Sequence, residues 1–538
     1  MLIDARQHAG AELSADVAVV GGGPAGITLA GRLRGSGLTV LVLEAGGLHP
    51  TLRDQRAYAG DNVGHPYFRL DGCRYRLLGG STNRWGGWCR PLEDLDFETR
   101  SYVADSGWPI DATDLRPYYD EAARLFELPS ADFDLPSWAS RLPTPFPLQD
   151  TDFENTVFQY SPETNFGQRH QLEASEDPDV TTVLHANVTD IRLDPGTERV
   201  ASLVVQALGG ASFTVRARAF VLAAGGLENP RLLLNATSDR PAGLGNQHDL
   251  VGRYFMEHLH VPAGHLVPAD PAAISNAFYQ KASYDGSKVR GVITPTVRAQ
   301  HEHQLLGCSI GVEDDKYIYG TALVGHQPLV STLPIRAQRP QHVGLRHRAN
   351  RQVHDVLNDI YSKGRRWTTR HAAEQALARA GLQVPVPGPT QSLYFRTEQA
   401  PDRDSRVMLG ETRDELGLRR ITLDWRVTER DTTTIEQWLG LLAKALSGNG
   451  SGTVLPPVPG WEDKIIGGPH HMGTTRMAAS AAKGVVDADC RVHGTANLYV
   501  AGSSVFPTGG YANPTFTIVT LALRLADRLR AELRPAAR

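Results

Sequence analysis

From Asp16 to Val20 the chain is a valine-rich apolar run that stops at Gly21-Gly22-Gly23-Pro24-Ala25-Gly26, after which Ile27, Leu29, Ala30 and Leu33 recur at helical spacing. A second continuous apolar run, Leu38 to Leu43, follows Gly35-Ser36-Gly37 and closes on Glu44. Strand, glycine turn, helix and second strand within about 30 residues make one βαβ unit. At the far end, NPTFTIVTLALRLADRLRAEL, starting at Asn513, sets apolar residues at helical spacing with arginines on the other side, which predicts a packed C-terminal helix.

Residues 180 to 223 alternate β-rich runs with turn signals, in VTTVLHANVTDIRLD, ASLVVQALGG and FTVRARAFVLAAGG. They predict strands of a second sheet that lead back to the first. From about 265 to 400 the apolar periodicity weakens and Pro and Gly punctuate the chain, as in LQVPVPGPT at 382–390. The arginines and lysine between Arg336 and His371 read as the solvated face of one or two helices rather than an anion-binding surface. No repeat of solenoid or propeller period is present.

A chain of 538 residues exceeds what one hydrophobic core supports, so two joined domains, or three, are expected. With 41% hydrophobic and 21% charged residues and a formal charge of −4, composition excludes collagen-like and disordered classes and gives no sign of a nucleic-acid partner. Cys73, Cys89, Cys308 and Cys490 are scattered, without a C-x-x-C, which suggests neither zinc nor a disulfide framework and fits a reducing cytoplasm. The first twenty residues carry Asp4 and Glu12 and no unbroken apolar core, unlike a secretory signal, and even the run Phe516 to Leu525 is cut by Arg524. The expectation is a soluble cytoplasmic enzyme with no membrane partner.

Gly21-x-Gly23-x-x-Gly26 sets one glycine in a tight turn, one where backbone approaches a pyrophosphate, and one where helix packs on strand, with the helix N-terminus facing the phosphates. Glu44, 18 residues after Gly26 at the end of the next strand, is placed to accept both ribose hydroxyls of an adenosine. FAD and NAD both satisfy this pattern. Asn513 reads as an N-cap with Pro514 in the first helical turn. His301-Glu302-His303 lacks the H-E-x-x-H spacing and a third ligand and reads as a loop, so no metal site is predicted. No G-x-S-x-G elbow is present.

Four further segments resemble those of the glucose-methanol-choline (GMC) flavoenzymes: LLGGSTNRWGGWCRPL (77–92), VLAAGGLENPRLLL (221–234), PHHMGTTRM (469–477) and NLYVAGSSVFPTGGYANPTFTIVTLALRLADRL (497–529). With the N-terminal fingerprint they span almost the whole chain in the family's order, and the Trp-Gly-Gly-Trp and Asn-Pro-Thr wording is most similar to its pyranose-oxidase-like bacterial branch. The resemblance implies an α/β fold: a Rossmann-type FAD-binding domain from 14–100, 180–262 and 462–538, with an appended α+β substrate-binding domain from 101–179 and 263–461, of the p-hydroxybenzoate-hydroxylase-like kind. It implies FAD contacts from Gly21, Gly23, Gly26, Glu44, Ser81, Asn83, Trp85, Val188, Gly502, Asn513 and Thr515, the bland alternative for 77–92 being a turn with a buried pair, Trp85 and Trp88. Arg84 stands where some pyranose oxidases carry the histidine that links to the flavin, so FAD is expected to be non-covalent.

In the family a histidine three residues before the glycine of the 469–477 segment is the catalytic base. That spacing selects His470, with His471 the competing assignment, and gives Asn513 as its partner. The implied reaction is oxidation of an alcohol, such as a secondary hydroxyl of a sugar or glycoside, to a carbonyl by hydride transfer to flavin N5, with oxygen or another acceptor completing turnover. A non-redox lyase of the same family, a GMC enzyme acting on a non-sugar alcohol, and an NAD-dependent dehydrogenase are the other readings.

Overall fold

The computed structural model describes residues 1–162, 164–174, 178–269, 276–284, 287–314, 391–457 and 460–533. The arginine-rich stretch between 336 and 371 and the segment 382–390 lie outside the described residues.

Glu12–Val20 forms the first predicted strand, Pro24–Leu33 the helix after the glycine turn, and Val40–Leu43 the second strand, in parallel register from Val17↔Val40 to Val20↔Leu43. Covered on both faces, these strands need no polar alternation, which is why they read as unbroken apolar runs. Val17, Ala18, Val19 and Val42 are fully buried.

These strands sit in an eight-stranded sheet ordered Leu2–Asp4, Val180–Leu184, Val40–Leu43, Glu12–Val20, Ser212–Leu222, Val200–Gln206, Asn187–Leu193, with Leu498–Val500 also against Ser212–Leu222. The strands expected between 180 and 223 therefore do not begin a second sheet; all four belong to the first. The cause is the 11-residue strand Ser212–Leu222, which runs parallel to Glu12–Val20 along one edge. Its other edge is divided: Ser212–Val215 pairs antiparallel with Leu203–Gln206, and Phe220–Leu222 pairs parallel with Leu498–Val500. One strand thus joins a parallel sheet to an antiparallel meander, a division that the apolar pattern does not reveal.

The second sheet is antiparallel, in the order Gly452–Leu455, Leu259–Pro268, Gln391–Thr397, Cys308–Asp314, Ser287–Pro295, Phe153–Tyr160, Trp88–Cys89. One face carries Val157, Ile293, Ile310, Phe395 and Val261, which bury against Ile435, Trp438 and Leu442 of the 20-residue helix Glu429–Gly448. That helix starts at a capping box, in which Thr428 Oγ1 and Asp431 bond reciprocally with the opposite backbone N–H groups. The opposite face carries Phe158, Tyr160, Val292 and Trp88, with Tyr511 packed on it.

Several expected boundaries shift. Leu2–Asp4 pairs with Val180–Leu184, so the first sheet starts twelve residues before residue 14. Trp88–Cys89 and Leu259–Pro268 belong to the second sheet, although 14–100 and 180–262 are expected in the cofactor domain. Within 101–179, the helix Tyr119–Leu125 packs on the C-terminal helix Thr515–Leu533 instead, with Tyr119 and Phe516 5.5 Å apart. His301-Glu302-His303 is not a loop but the end of the helix Val297–His303, whose N-cap Thr296 accepts from Ala299 N. His303 Nε2 lies 3.0 Å from Asp152, and among the described residues no group of three His, Cys, Asp or Glu is placed to hold a metal ion. None of the described helices is long and apolar enough to cross a membrane.

A buried charge network ties the first layer to the small sheet of Arg406–Arg413, Arg419–Asp424 and Asp61–Asn62. Arg231 donates to Glu228 and Asp414 at 2.6 Å each, and Arg74 donates to Glu228 at 2.8 Å. Burial alone would raise the Glu228 pKa, but Arg231, Arg74 and Arg76 outweigh it and hold the carboxyl at about 2. Arg231→Ala leaves Glu228 and Asp414 short of compensation in the interior. Breaking such a buried pair costs about 3–5 kcal/mol, so the variant is expected to melt many degrees lower; a thermal scan showing an unchanged melting temperature refutes this role for Arg231.

Candidate active site

The parallel strands end together in glycines, where an open α/β sheet leaves its ligand crevice. Gly21 follows Glu12–Val20 with φ 111°, Gly225 follows Ser212–Leu222 with φ 88°, and Gly502 follows Leu498–Val500 with φ 119°. A Cβ on Gly26 falls 2.0 Å from the Gly21 carbonyl oxygen, so only glycine lets the helix rest on the turn. A Cβ on Gly23, Gly225 or Gly502 meets nothing within 4 Å, so these three glycines face open space at the strand ends. That bare cradle, with the helix N-terminus at Gly23, fits the diphosphate and ribose portions of a dinucleotide.

Glu44 is buried at the mouth of this cradle. Its two carboxylate oxygens accept the backbone N–H of Gly22 at 2.8 Å and of Gly46 at 2.7 Å. Burial raises its pKa against the pull of those two N–H groups. Each oxygen keeps a lone pair for a further donor.

The segment 77–92 lies across the cradle: Gly79 N donates to the Gly22 carbonyl at 2.7 Å, and a Cβ on Gly80 falls 3.1 Å from Gly23 Cα. Asn83 Nδ2 donates to the carbonyls of Leu78 and Gly80, shaping the short turn Gly80–Asn83 on which Ser81 is exposed. Trp85 and Trp88 do not form a pair. Trp85 bonds the Thr164 carbonyl and packs on Phe126, whereas Trp88 joins Phe158 and Tyr160 on the second sheet. Val188 is a core side chain in the strand Asn187–Leu193.

Asn513 is not the cap of the last helix. The Pro514 carbonyl accepts the first bond, from Ile518 N at 2.9 Å, so the helix begins at Thr515 and Asn513 stands outside it. Its amide goes elsewhere: Asn513 Nδ2 lies 3.2 Å from His470 Nε2. His470 and Asn513, 43 residues apart in sequence, are thereby brought together, both partly exposed. His471 faces away. Its ring packs on Phe255 and Tyr67, with Nε2 3.8 Å from Cys73 Sγ and 3.9 Å from Glu257.

Residues that sequence reasoning missed hold this arrangement. Met256 and Met472 exchange backbone bonds of 3.1 and 3.0 Å, which lays the stretch 256–260 beside the His470 loop. Glu257, fully buried, accepts the N–H of His470 at 2.8 Å, the N–H of Gly468 at 3.0 Å and the Tyr67 hydroxyl. His258 Nδ1 lies 2.9 Å from His470 Nδ1, and the His260 ring lies 5.9 Å from that of His470. The available signal was Glu-His-Leu-His at the start of a strand, because alternation puts His258 and His260 on one side.

Burial first, then the neighbouring His258, His260 and His471 and the Arg396 guanidinium, hold the His470 pKa well below the ordinary imidazole value. At neutral pH the ring is uncharged and able to take a proton.

A cradle for a dinucleotide and a neutral imidazole beside an amide fit an oxidoreductase that acts on CH–OH groups. Residues 401–522 match the family model described as GMC oxidoreductase, and the relatives that are similar over nearly the whole chain are oxidases and dehydrogenases, which points to FAD as the cofactor. The chain is similar to 6'''-hydroxyparomomycin C oxidase of Streptomyces lividus, at 25% identity over 96% of this chain and 92% of that protein. It is also similar to 2-methyl-1,2-propanediol dehydrogenase of Mycolicibacterium austroafricanum, at 25% identity over 95% and 94% of the two chains. Its fold matches the crystal structure of pyridoxine 4-oxidase from Mesorbium loti with a TM-score of 0.53 and 19% identity, covering 95% of this chain and 98% of that one.

Burial pushes the Glu257 pKa up to about 7, although Tyr67 and the His470 and Gly468 N–H groups pull it down. A carboxyl whose folded pKa is raised contributes stability that is full below its unfolded value and is lost as pH climbs to the folded value. Glu257→Gln keeps an acceptor without the charge. Between about pH 4.3 and pH 7 the wild type loses about 1.4 kcal/mol of stability for each step of one in pH. The melting temperature of Glu257→Gln is therefore expected to rise progressively relative to the wild type across that window. A difference that does not change with pH contradicts the assignment.

Proposed function

We propose that the protein oxidises an alcohol, with the secondary hydroxyl of a sugar or glycoside as the favoured group, to a carbonyl, and that His470 is the base and Asn513 its hydrogen-bonding partner. The 3.2 Å approach of Asn513 Nδ2 to His470 Nε2 carries this reading, since an alcohol oxygen that meets both from one side gives its proton to one and accepts a hydrogen bond from the other. FAD, when bound, supplies the acceptor for the hydride from the carbinol carbon, and oxygen or another acceptor completes turnover. Gly21, Gly23, Gly26, Glu44, Gly502 and the Ser81 to Asn83 turn are the residues that hold it, joined by Thr515 at the start of the last helix.

The oxidase and dehydrogenase named above, which are similar over nearly their whole length, support the alcohol class.

His470→Ala is expected to keep its yellow FAD while flavin reduction by alcohol under anaerobic conditions slows about a hundred- to ten-thousand-fold. Asn513→Ala slows it as well, with little change in melting temperature because Asn513 caps no helix. His471→Ala slows it far less. The wild-type rate should stay level as pH falls through the ordinary imidazole value of about 6.5 and decline only in more acidic solution, because a base is lost by protonation and the His470 pKa is depressed. If His471→Ala abolishes reduction and His470→Ala does not, the base is misassigned.

FAD is held without a covalent bond in this reading: Arg84, exposed and stacked at 5.6 Å over Tyr75, replaces the linking histidine. Acid precipitation should release yellow flavin to the supernatant, whereas colour kept in a washed pellet contradicts the reading. Glu44→Ala should weaken FAD binding by about 1.5–3 kcal/mol, the range for a hydrogen bond to a charged group, read by titrating the apoprotein with FAD.

A further inference from the structure

The hydrogen bonds behind His470 decide which of its nitrogens carries the proton. Gly509, two residues before Tyr511, places its carbonyl oxygen 3.4 Å from His258 Nε2. A carbonyl oxygen only accepts, so His258 Nε2 is the protonated nitrogen. Burial lowers the His258 pKa to about 4, against the pull of the Gly509 and Gly510 carbonyls and Glu398. The ring is therefore neutral and its Nδ1 is a bare lone pair. That lone pair faces His470 Nδ1 at 2.9 Å, with the rings at 81°. Two lone pairs at this distance repel, so the proton between them belongs to His470 Nδ1. Neutral His470 then presents a bare Nε2, the nitrogen beside Asn513.

We infer that His258 is a positioning residue that fixes His470 in its Nδ1-protonated tautomer, so that Nε2, the acceptor that faces the Asn513 amide, is the lone pair offered to the substrate hydroxyl. The inference rests on the reading of His470 as the base. It also gives the proton-loaded state of His470 a partner, since the Nδ1–H···Nδ1 bond persists and strengthens when Nε2 gains a proton and the ring becomes a cation. In a Ser-His-Asp triad an aspartate does this work by charge. Here a neutral imidazole supplies the acceptor without the charge that would raise the base's pKa.

The site is built for this pair. His258 is 1% exposed and sits immediately before the strand Leu259–Pro268, where the Met256–Met472 bridge sets it against the His470 loop. Glu257 fixes the His470 backbone from the same stretch. A Cβ on Gly509 falls 3.7 Å from His258 Nε2, so the glycine turn that leads to Asn513 closes over the ring. The remaining charged or titratable groups around the two rings are His260, His471 and Arg396 toward His470, and Glu398 toward His258. Glu398 is fully buried and spent on a two-point ion pair with Arg100.

The test uses substitutions that keep or remove the acceptor. In Asn, Oδ1 occupies the place of the His Nδ1; in Leu nothing accepts. His258→Leu is expected to slow anaerobic flavin reduction at saturating alcohol about ten- to a hundred-fold, the cost of losing a partner that orients an imidazole, with little change in half-saturating substrate. His258→Asn should recover most of that rate. His258→Asp should recover it too, and move the acid limb of the pH profile upward, because a carboxylate facing Nδ1 stabilises the His470 cation. On the wild-type holoenzyme, 15N NMR of labelled histidine, with His470 assigned by its loss in His470→Gln, should show a protonated Nδ1 and a bare Nε2. A protonated Nε2 on His470, a Leu variant as fast as the wild type, or an Asn variant as slow as Leu each overturns the inference. Failure of the base reading looks different: His470→Ala would then reduce its flavin normally, whatever the tautomer seen by NMR.

Discussion

A single buried carboxylate, Glu257, is the interaction on which the active site depends. It accepts from two backbone N–H groups of the 468–470 loop and from the Tyr67 hydroxyl, while its own backbone N–H bonds Gln399 at 3.0 Å. Tyr67 and the 468–470 loop, about four hundred positions apart in sequence, thus meet on one fully buried side chain. An unsatisfied carboxylate there would be costly, so the loop that carries His470 is held wherever the carboxylate is satisfied. The geometry of the proposed base is therefore set by a residue that need not touch the substrate.

Behind that carboxylate the polar interior is graded. Arg100 and Glu398 form a fully buried ion pair, and Asp96 lies under Gly510, where a Cβ would fall 2.3 Å from its Oδ2. Burial and then Glu398 push the Asp96 pKa well up. The His258 and His470 imidazoles have their pKa values lowered first by burial, so the same interior favours the uncharged form of acid and base alike.

Much of this was legible in the chain. The fingerprint needs glycines at Gly21, Gly23 and Gly26 because one bends, one faces open space and one underlies a helix at a separation that no Cβ allows, and these are local demands that leave a local trace. His470 and Asn513 were found by family wording, and the structure puts their side chains in contact. The role given to Asn513 as a cap failed, since Pro514 takes that place and frees the amide. The reading of 180–223 as a second sheet failed because a strand's composition reports its burial and not its partners, and Ser212–Leu222 has three. Glu257 and His258 were not singled out, because the Glu-His-Leu-His alternation sets two histidines on one side without telling a buried functional side chain from an exposed one.

Contiguous residues alone specify the βαβ unit, the glycine cradle and the C-terminal helix, because the spacing within each obeys backbone geometry. Which strands pair, which way Trp85 and Trp88 part, and what stands behind His470 were settled only when the chain packed. Those outcomes rest on contacts between residues up to about four hundred positions apart, where hydrogen-bond partners are chosen by packing and the sequence records only that a polar group is present.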